Sequence, residues 1–200
     1  MNIDKSPIVA HIVATTEDGL IGIGDKLPWS PVSEDMQFFK AKTLKHIVVM
    51  GYNTVLSLPF KLPKRYTVGV SSRPCNDNVG SDIVFHQRSD NIITRVKHPN
   101  SLRSIKELLD DGKDSSNINH GYLINPDIVY IAGGGKIYED SLLEVDVVYR
   151  NVIRKPLEKL EGAEVYYPVN RLREHFILLE SEEIEIKGGS MIKEIWVKPR

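Results

Sequence analysis

Asp35 stands in the run Ser33-Glu34-Asp35-Met36-Gln37-Phe38-Phe39-Lys40, a few residues after Leu27-Pro28-Trp29. The spacing predicts a carboxylate in the first turn of a helix, with rings at i+3 and i+4 that can share its face. An acid beside stacking rings suits a flat, protonatable heterocycle. The carboxylate can take an amidine-like edge through two hydrogen bonds, and the rings supply an apolar wall. Apolar surroundings would raise its pKa, while the helix start would lower it. Glu34 is a second candidate for the role. A solvated acid that merely complements the helix dipole is the bland alternative.

The run Ile131-Ala132-Gly133-Gly134-Gly135-Lys136-Ile137-Tyr138 carries a second chemistry. An apolar strand enters the glycines and a helix leaves them, so backbone amides can approach a phosphate closely. Val48-Val49-Met50-Gly51-Tyr52-Asn53-Thr54 is a weaker version of the same device. Ser71-Ser72-Arg73 ends a strand with two hydroxyls and a guanidinium, a set that can hold a phosphate monoester. Leu62-Pro63-Lys64-Arg65 offers a planar bidentate donor for a carboxylate.

The elements that must position these groups follow from hydrophobic periodicity and turn residues. Strands are expected at Ile8 to Thr15, His46 to Met50, Tyr66 to Val70, Ile83 to Phe85, Ile128 to Ala132 and Val145 to Ile153. Ser33 is expected to cap a helix running to about Leu44. Further helices are expected at Asn53 to Leu58, Ser101 to Asp110 and Lys136 to Leu143, with Gly22 to Pro28 a loop. Phe176 to Ile186 and Met191 to Lys198 read as an antiparallel hairpin around Gly188-Gly189. Residues 74–125 are polar and read as containing a surface insertion. The alternation predicts an α/β protein: a mixed, mostly parallel sheet with helices on both faces, closed by the hairpin.

Composition narrows the class. The 200 residues suit a single domain spanning 1–200, and 41% hydrophobic with 26% charged content is ordinary for a globular protein. A net charge of −1 gives no argument for nucleic acid or an anionic membrane as partner. The one cysteine, Cys75, excludes an internal disulfide or a cysteine zinc cluster, and the six histidines lack metal-site spacing. No metal is expected. Met1 to Pro7 lacks a basic-then-apolar leader pattern, and no apolar run has the length of a membrane span. A cytoplasmic monomer acting on a small molecule is expected.

Taken together, these motifs resemble the dihydrofolate reductase family. Leu27, Pro28, Trp29, Asp35, Phe39 and Lys40 match its loop and first helix in order, with one residue inserted before the acid. Asp35 is preferred to Glu34 because its spacing to Phe39-Lys40 fits. The resemblance implies a dihydrofolate-reductase-like three-layer fold and NADPH-dependent reduction of dihydrofolate to tetrahydrofolate. It implies a catalytic set of Asp35, Trp29 and Leu27. Ala14, Asp35, Phe39, Leu58, Leu62, Arg65 and Asn151 would bind substrate, with Arg65 on its carboxylate tail. NADPH would lie against Ala14, Ile21, Gly51, Asn53, Thr54, Ser71, Ser72, Arg73, Ala132, Gly133, Gly134, Gly135, Lys136, Ile137 and Tyr138. Three positions depart from the family pattern: Tyr52 replaces an arginine, Asn151 a threonine, and Ala163 an acidic residue. Two rival readings stay open on the residues alone, a riboflavin-pathway pyrimidine reductase and a non-catalytic binding component.

Overall fold

A computed structural model describes residues 7–71, 81, 83–86 and 125–199. The strands are β1 (Ile8–Thr15), β2 (Leu20–Ile23), β3 (His46–Gly51), β4 (Tyr66–Ser71), β5 (Ile83–His86), β6 (Asn125–Ile131), β7 (Val147–Arg154), β8 (Glu164–Tyr166), β9 (Ile177–Ile186) and β10 (Gly189–Val197). The helices are α1 (Ser33–Thr43), α2 (Tyr52–Ser57), α3 (Gly135–Ser141) and α4 (Val169–His175). The expected helix at Ser101 to Asp110 and the insertion within 74–125 lie outside the described residues, apart from β5 and Ser81.

Eight strands form one sheet in the order β5-β4-β3-β6-β1-β7-β10-β9. Pairing is parallel from β5 through β7 and antiparallel in the closing hairpin. The central strands are apolar on both faces, as a parallel sheet covered on both sides requires. On one face, Phe38 and Phe39 of α1 pack on Ala10, Ile12 and Tyr130, and Val55 of α2 packs on Val48 and Met50. On the other, Ile137 and Tyr138 of α3 and Val169 and Leu172 of α4 join Val9, Val13, Val49 and Ile131. The α/β layering expected from the sequence is therefore present.

Two local expectations are corrected, and two elements appear that the sequence does not announce. Ser33 does not cap α1: Val32, in extended conformation, occupies the cap position without a side-chain bond. The Ser33 hydroxyl instead donates to Glu34 Oε2 at 2.8 Å. Glu34 and Asp35 in the first turn and Lys40 and Lys42 in the last still complement the helix dipole. Leu20–Ile23, expected partly as loop, is a strand, and its partner β8 is a strand that the sequence does not announce. Neither segment is long enough to show a period by itself. The helix α4 is equally unannounced, since its buried apolar positions are only Val169 and Leu172.

A buried polar network stiffens the outer layer. His11 is fully buried; its Nδ1 lies 2.9 Å from the Tyr167 hydroxyl and its Nε2 2.7 Å from Ser141 Oγ. Ser141 Oγ donates to the Ile137 carbonyl, so it must accept from His11. That places the proton on Nε2 and leaves Nδ1 to accept from Tyr167. Burial holds the imidazole pKa down to about 3, so the ring is neutral in the fold. An unfolded chain takes up this proton below about 6.5. The stabilising contribution is therefore complete above that value and falls with pH toward about 3. His11→Gln is expected to lose about 1–3 kcal/mol at pH 7. Below pH 6 it should also lose about 1.4 kcal/mol per unit of acid sensitivity. Urea unfolding of both proteins at pH 7, 6 and 5 checks this; parallel pH slopes would refute it.

Candidate active site

The sheet opens along β1. Strand β6 pairs with β1 only as far as His11–Ile131, while β7 follows β1 to Thr15. Past Ile131 the chain follows β3 instead. Ala132 N donates to the Val49 carbonyl at 2.9 Å, and Gly51 N to the Gly133 carbonyl at 2.6 Å. A crevice therefore forms at the carboxyl ends of the strands, where open α/β sheets take ligands. Ala14 borders it, paired across the ladder with Asn151.

One side of the crevice carries an acid and an amide. Asp35 on α1 accepts a hydrogen bond from Asn151 Nδ2 on β7 at 2.7 Å. Burial raises the Asp35 pKa above the ordinary carboxylate value, and the Asn151 bond opposes that rise. Asn151 Oδ1 is buried without a partner among the described residues. A free acceptor thus stands beside an acid of raised pKa. Glu34, the other candidate, is solvated; its pKa is lowered by a backbone hydrogen bond and by Ser33. Of the two acids, Asp35 is the one that meets Asn151.

Phe39, Leu58, Leu62 and Ala132 share one apolar cluster. Arg65 is buried, its Nη1 donating to Thr43 Oγ1 at 3.3 Å near the end of α1. Trp29 is only 3% exposed and packs with Val32, Ile153 and Met191, with Ala14 against the same cluster. Leu27 is exposed, and Ile21 packs on the main core. The Pro28 carbonyl accepts from Glu158 N at 2.8 Å, and Lys155 Nζ donates to Ser30 Oγ at 2.7 Å. These bonds fix the segment that carries Leu27 and Trp29.

The other side is a backbone cradle. Gly133 adopts a φ of +106°, accessible to glycine without steric cost. A Cβ at Gly134 would lie 2.9 Å from Thr54 Oγ1, and one at Gly135 2.4 Å from Val165 Cγ1. A side chain at either position would collide with these neighbours, so the glycines let Thr54 and Val165 pack directly on the turn and leave its backbone uncovered by side chains of its own. Gly51 and Thr54 adjoin the same cradle, while Asn53 is exposed on α2. Ser71 ends β4; Ser72 and Arg73 lie outside the described residues.

The side chains of the last three residues expected at the cofactor take separate directions. The Lys136 side chain is 84% exposed and paired with Asp140, not turned to the cradle. The Ile137 side chain is buried in the core. The Tyr138 hydroxyl donates to the Ile12 carbonyl at 2.7 Å, and its ring meets His11 and Tyr167 edge-on. The Tyr138 ring lies behind Gly133 and supports it. Sequence reasoning misses Val165, whose side chain faces Gly135. Its only sign in the chain is the brief apolar run Val165-Tyr166-Tyr167 after Gly162.

The fold is α/β, and similarity to known proteins gives the class, an oxidoreductase. The family model described as Dihydrofolate reductase matches residues 8–193. The dihydrofolate reductase of Mycoplasma pneumoniae is 30% identical over 147 residues, covering 73% of this chain and 76% of its own. Dihydrofolate reductase type 9 of Escherichia coli is 26% identical over 188 residues, covering 94% and 92%. A solved dihydrofolate reductase from Enterococcus faecalis, complexed with NADP(H) and RAB-propyl, has the same fold. Its TM-score is 0.68 at 22% identity, with 98% of each chain covered. The chain belongs to the dihydrofolate reductase family.

Asn151→Leu keeps the site buried and removes the one bond that opposes the Asp35 shift. The Asp35 pKa is expected to rise further, read by carboxyl carbon chemical shifts across a pH titration. An unchanged or lower value would separate the two residues.

Proposed function

We propose that this chain reduces 7,8-dihydrofolate to 5,6,7,8-tetrahydrofolate with NADPH as the reductant. The observation that carries the reading is the buried Asp35–Asn151 pair facing a glycine cradle across Ala14. Family membership supplies the activity class; the pair and the cradle supply the places.

NADPH, when bound, supplies the hydride that reaches C6 of the substrate. Gly133, Gly134 and Gly135, with Gly51 and Thr54, would hold its diphosphate through backbone and hydroxyl groups. Ser71, and in sequence Ser72 and Arg73, would face the adenosine phosphate that distinguishes NADPH from NADH. Lys136 is left out of this set because its side chain points to solvent.

Asp35 takes the amino-pyrimidine edge of the substrate, and Asn151 Oδ1 accepts from an N–H of that edge. This satisfies the buried acceptor that the protein leaves open. Phe39, Leu58 and Leu62 wall the ring system and the path of its tail, which Arg65 would meet at its carboxylate. Trp29, packed beside Ala14, excludes bulk water from the acid. The raised pKa of Asp35 favours protonation near the ring, so N5 can take a proton through water held at the site. Orientation of the two rings is the chain's main contribution.

Two substitutions separate the halves of the site. Asp35→Asn is expected to lower kcat at least about 100-fold while NADPH affinity, read by fluorescence titration, stays within twofold. Equal loss of both would overturn the assigned role. Gly134→Ala sets a methyl group against Thr54 Oγ1. It is expected to weaken NADPH about tenfold, about 1.4 kcal/mol, in a protein with wild-type near-ultraviolet circular dichroism. Unchanged affinity would move the diphosphate elsewhere.

A further inference from the structure

We propose that Arg150 is a positioning residue for this reaction: it fixes the turn from which the chain leaves β1 toward Ile21, Leu27 and Trp29. The inference rests on the activity proposed above. Arg150 precedes Asn151 on β7, so its side chain points to the opposite face of the sheet. It is 1% exposed.

Its guanidinium is almost fully engaged. Nε donates to Thr15 Oγ1 at 2.9 Å. Nη2 donates to two turn carbonyls, those of Thr16 at 3.0 Å and Glu17 at 2.9 Å. Nη1 donates to Glu194 Oε2 at 3.1 Å, from the residue opposite on β10. The turn closes on itself, with Thr16 N donating to the Leu20 carbonyl at 3.0 Å, Gly19 N to the Thr16 carbonyl at 3.1 Å and Leu20 N to Thr16 Oγ1 at 2.9 Å, and Tyr167 N donates to the Gly19 carbonyl at 2.7 Å; none of these bonds reaches β7. The Glu17 carbonyl points away from the turn and meets Arg150. A rigid planar fork reaching two successive carbonyls sets both the distance and the tilt of the turn relative to β7.

The turn leads directly to the site. It runs into β2, whose ladder to β8 puts Val165 over Gly135, and then to Leu27 and Trp29. Behind Arg150, on the same rigid strand, Asn151 holds Asp35. One strand therefore references the acid with one residue and the covering segment with the next. Arg154 also holds Glu17, through its carboxylate, but that pair is exposed and weakly binding. A cavity of about 500 Å³ lies against Arg150, lined also by Glu17, Asp18, Arg154, Arg173 and Glu194. Water entering there can hydrate the carbonyls once the guanidinium is gone, so orientation suffers more than stability.

The test compares the full-length wild type with Arg150→Met, Arg150→Lys and Glu194→Gln. Amide hydrogen exchange is read for peptides covering 16–29, with peptides covering 128–142 as reference. Kinetics are read with NADPH and dihydrofolate. In Arg150→Met, exchange over 16–29 is expected to rise at least tenfold with the reference unchanged. kcat is expected to fall about tenfold with KM for dihydrofolate within twofold. Arg150→Lys, which keeps the charge but loses the fork, should fall between, and Glu194→Gln should be mildest. Equal acceleration in both regions, or unchanged exchange or kcat in a folded Arg150→Met, would overturn the proposal. If Arg150→Met does not fold, Arg150→Lys is judged by the same comparisons. A folded wild type without dihydrofolate turnover would overturn the activity reading instead. The exchange comparison would then decide by itself whether Arg150 holds the turn.

Discussion

A slip of one residue between β1 and β7 would exchange the surroundings of Asn151 and Arg150, because neighbours on a strand face opposite sides of a sheet. The observed register pairs Ala14 with Asn151 and Val13 with Arg150. On one face the small Ala14 leaves Asn151 free to reach Asp35. On the other, Arg150 reaches the Thr15 hydroxyl and the carbonyls beyond it. The register is pinned from both flanks, by β6 in parallel and β10 in antiparallel pairing. Burial of both faces of β1 pins it further, since a slip would carry His11 out of its polar network and into the apolar layer under α1.

The two faces treat their buried polar groups differently. The outer face satisfies them: His11 is neutral between two hydroxyls, and Arg150 is paired with Glu194 and two carbonyls. Burial pushes the Arg150 pKa down and Glu194 draws it back up; a guanidinium remains charged under such opposing shifts. The crevice face leaves capacity open. Among the described residues, Asp35 has one side-chain donor and Asn151 keeps an unused acceptor. A buried unsatisfied group is costly unless something meets it. Its location beside the acid marks the place where binding energy can be recovered.

Legibility in the sequence follows length and repetition. The strands β1, β3, β4 and β7 are readable because each is a sustained apolar run bounded by turn residues, the pattern a strand buried on both faces must have. The hairpin is readable because two long segments flank Gly188-Gly189. Asp35 is readable from its rings, and the cradle from consecutive glycines after a strand. Segments of three or four residues, β2 and β8, carry no period and are strands only because they find each other. Side-chain direction is the other blind spot. Lys136 looks like a phosphate ligand in sequence, yet helical geometry offers it Asp140 at i+4. The Tyr138 hydroxyl finds the Ile12 carbonyl across the sheet, a bond that no local pattern announces. Arg150 gives no sign at all, because the carbonyls it holds lie more than a hundred residues away in the turn after β1.

Ala14 shows how the fold makes a meeting place for two rings. Neighbouring strands lie about 4.8 Å apart, so β6 and β7, separated by β1, stand about 10 Å apart. Where β6 turns aside after Ile131, that width opens above the end of β1. On the reading proposed above, a nicotinamide held from the cradle and a pteridine held from Asp35 would both arrive there. The residue beneath them must be small, or it would hold the rings apart. Ala14 meets that requirement between the larger Val13 and Thr15, which point to the other face and pack or bond there. The same alternation that sends Arg150 outward to hold the turn thus leaves a single methyl group under the crevice.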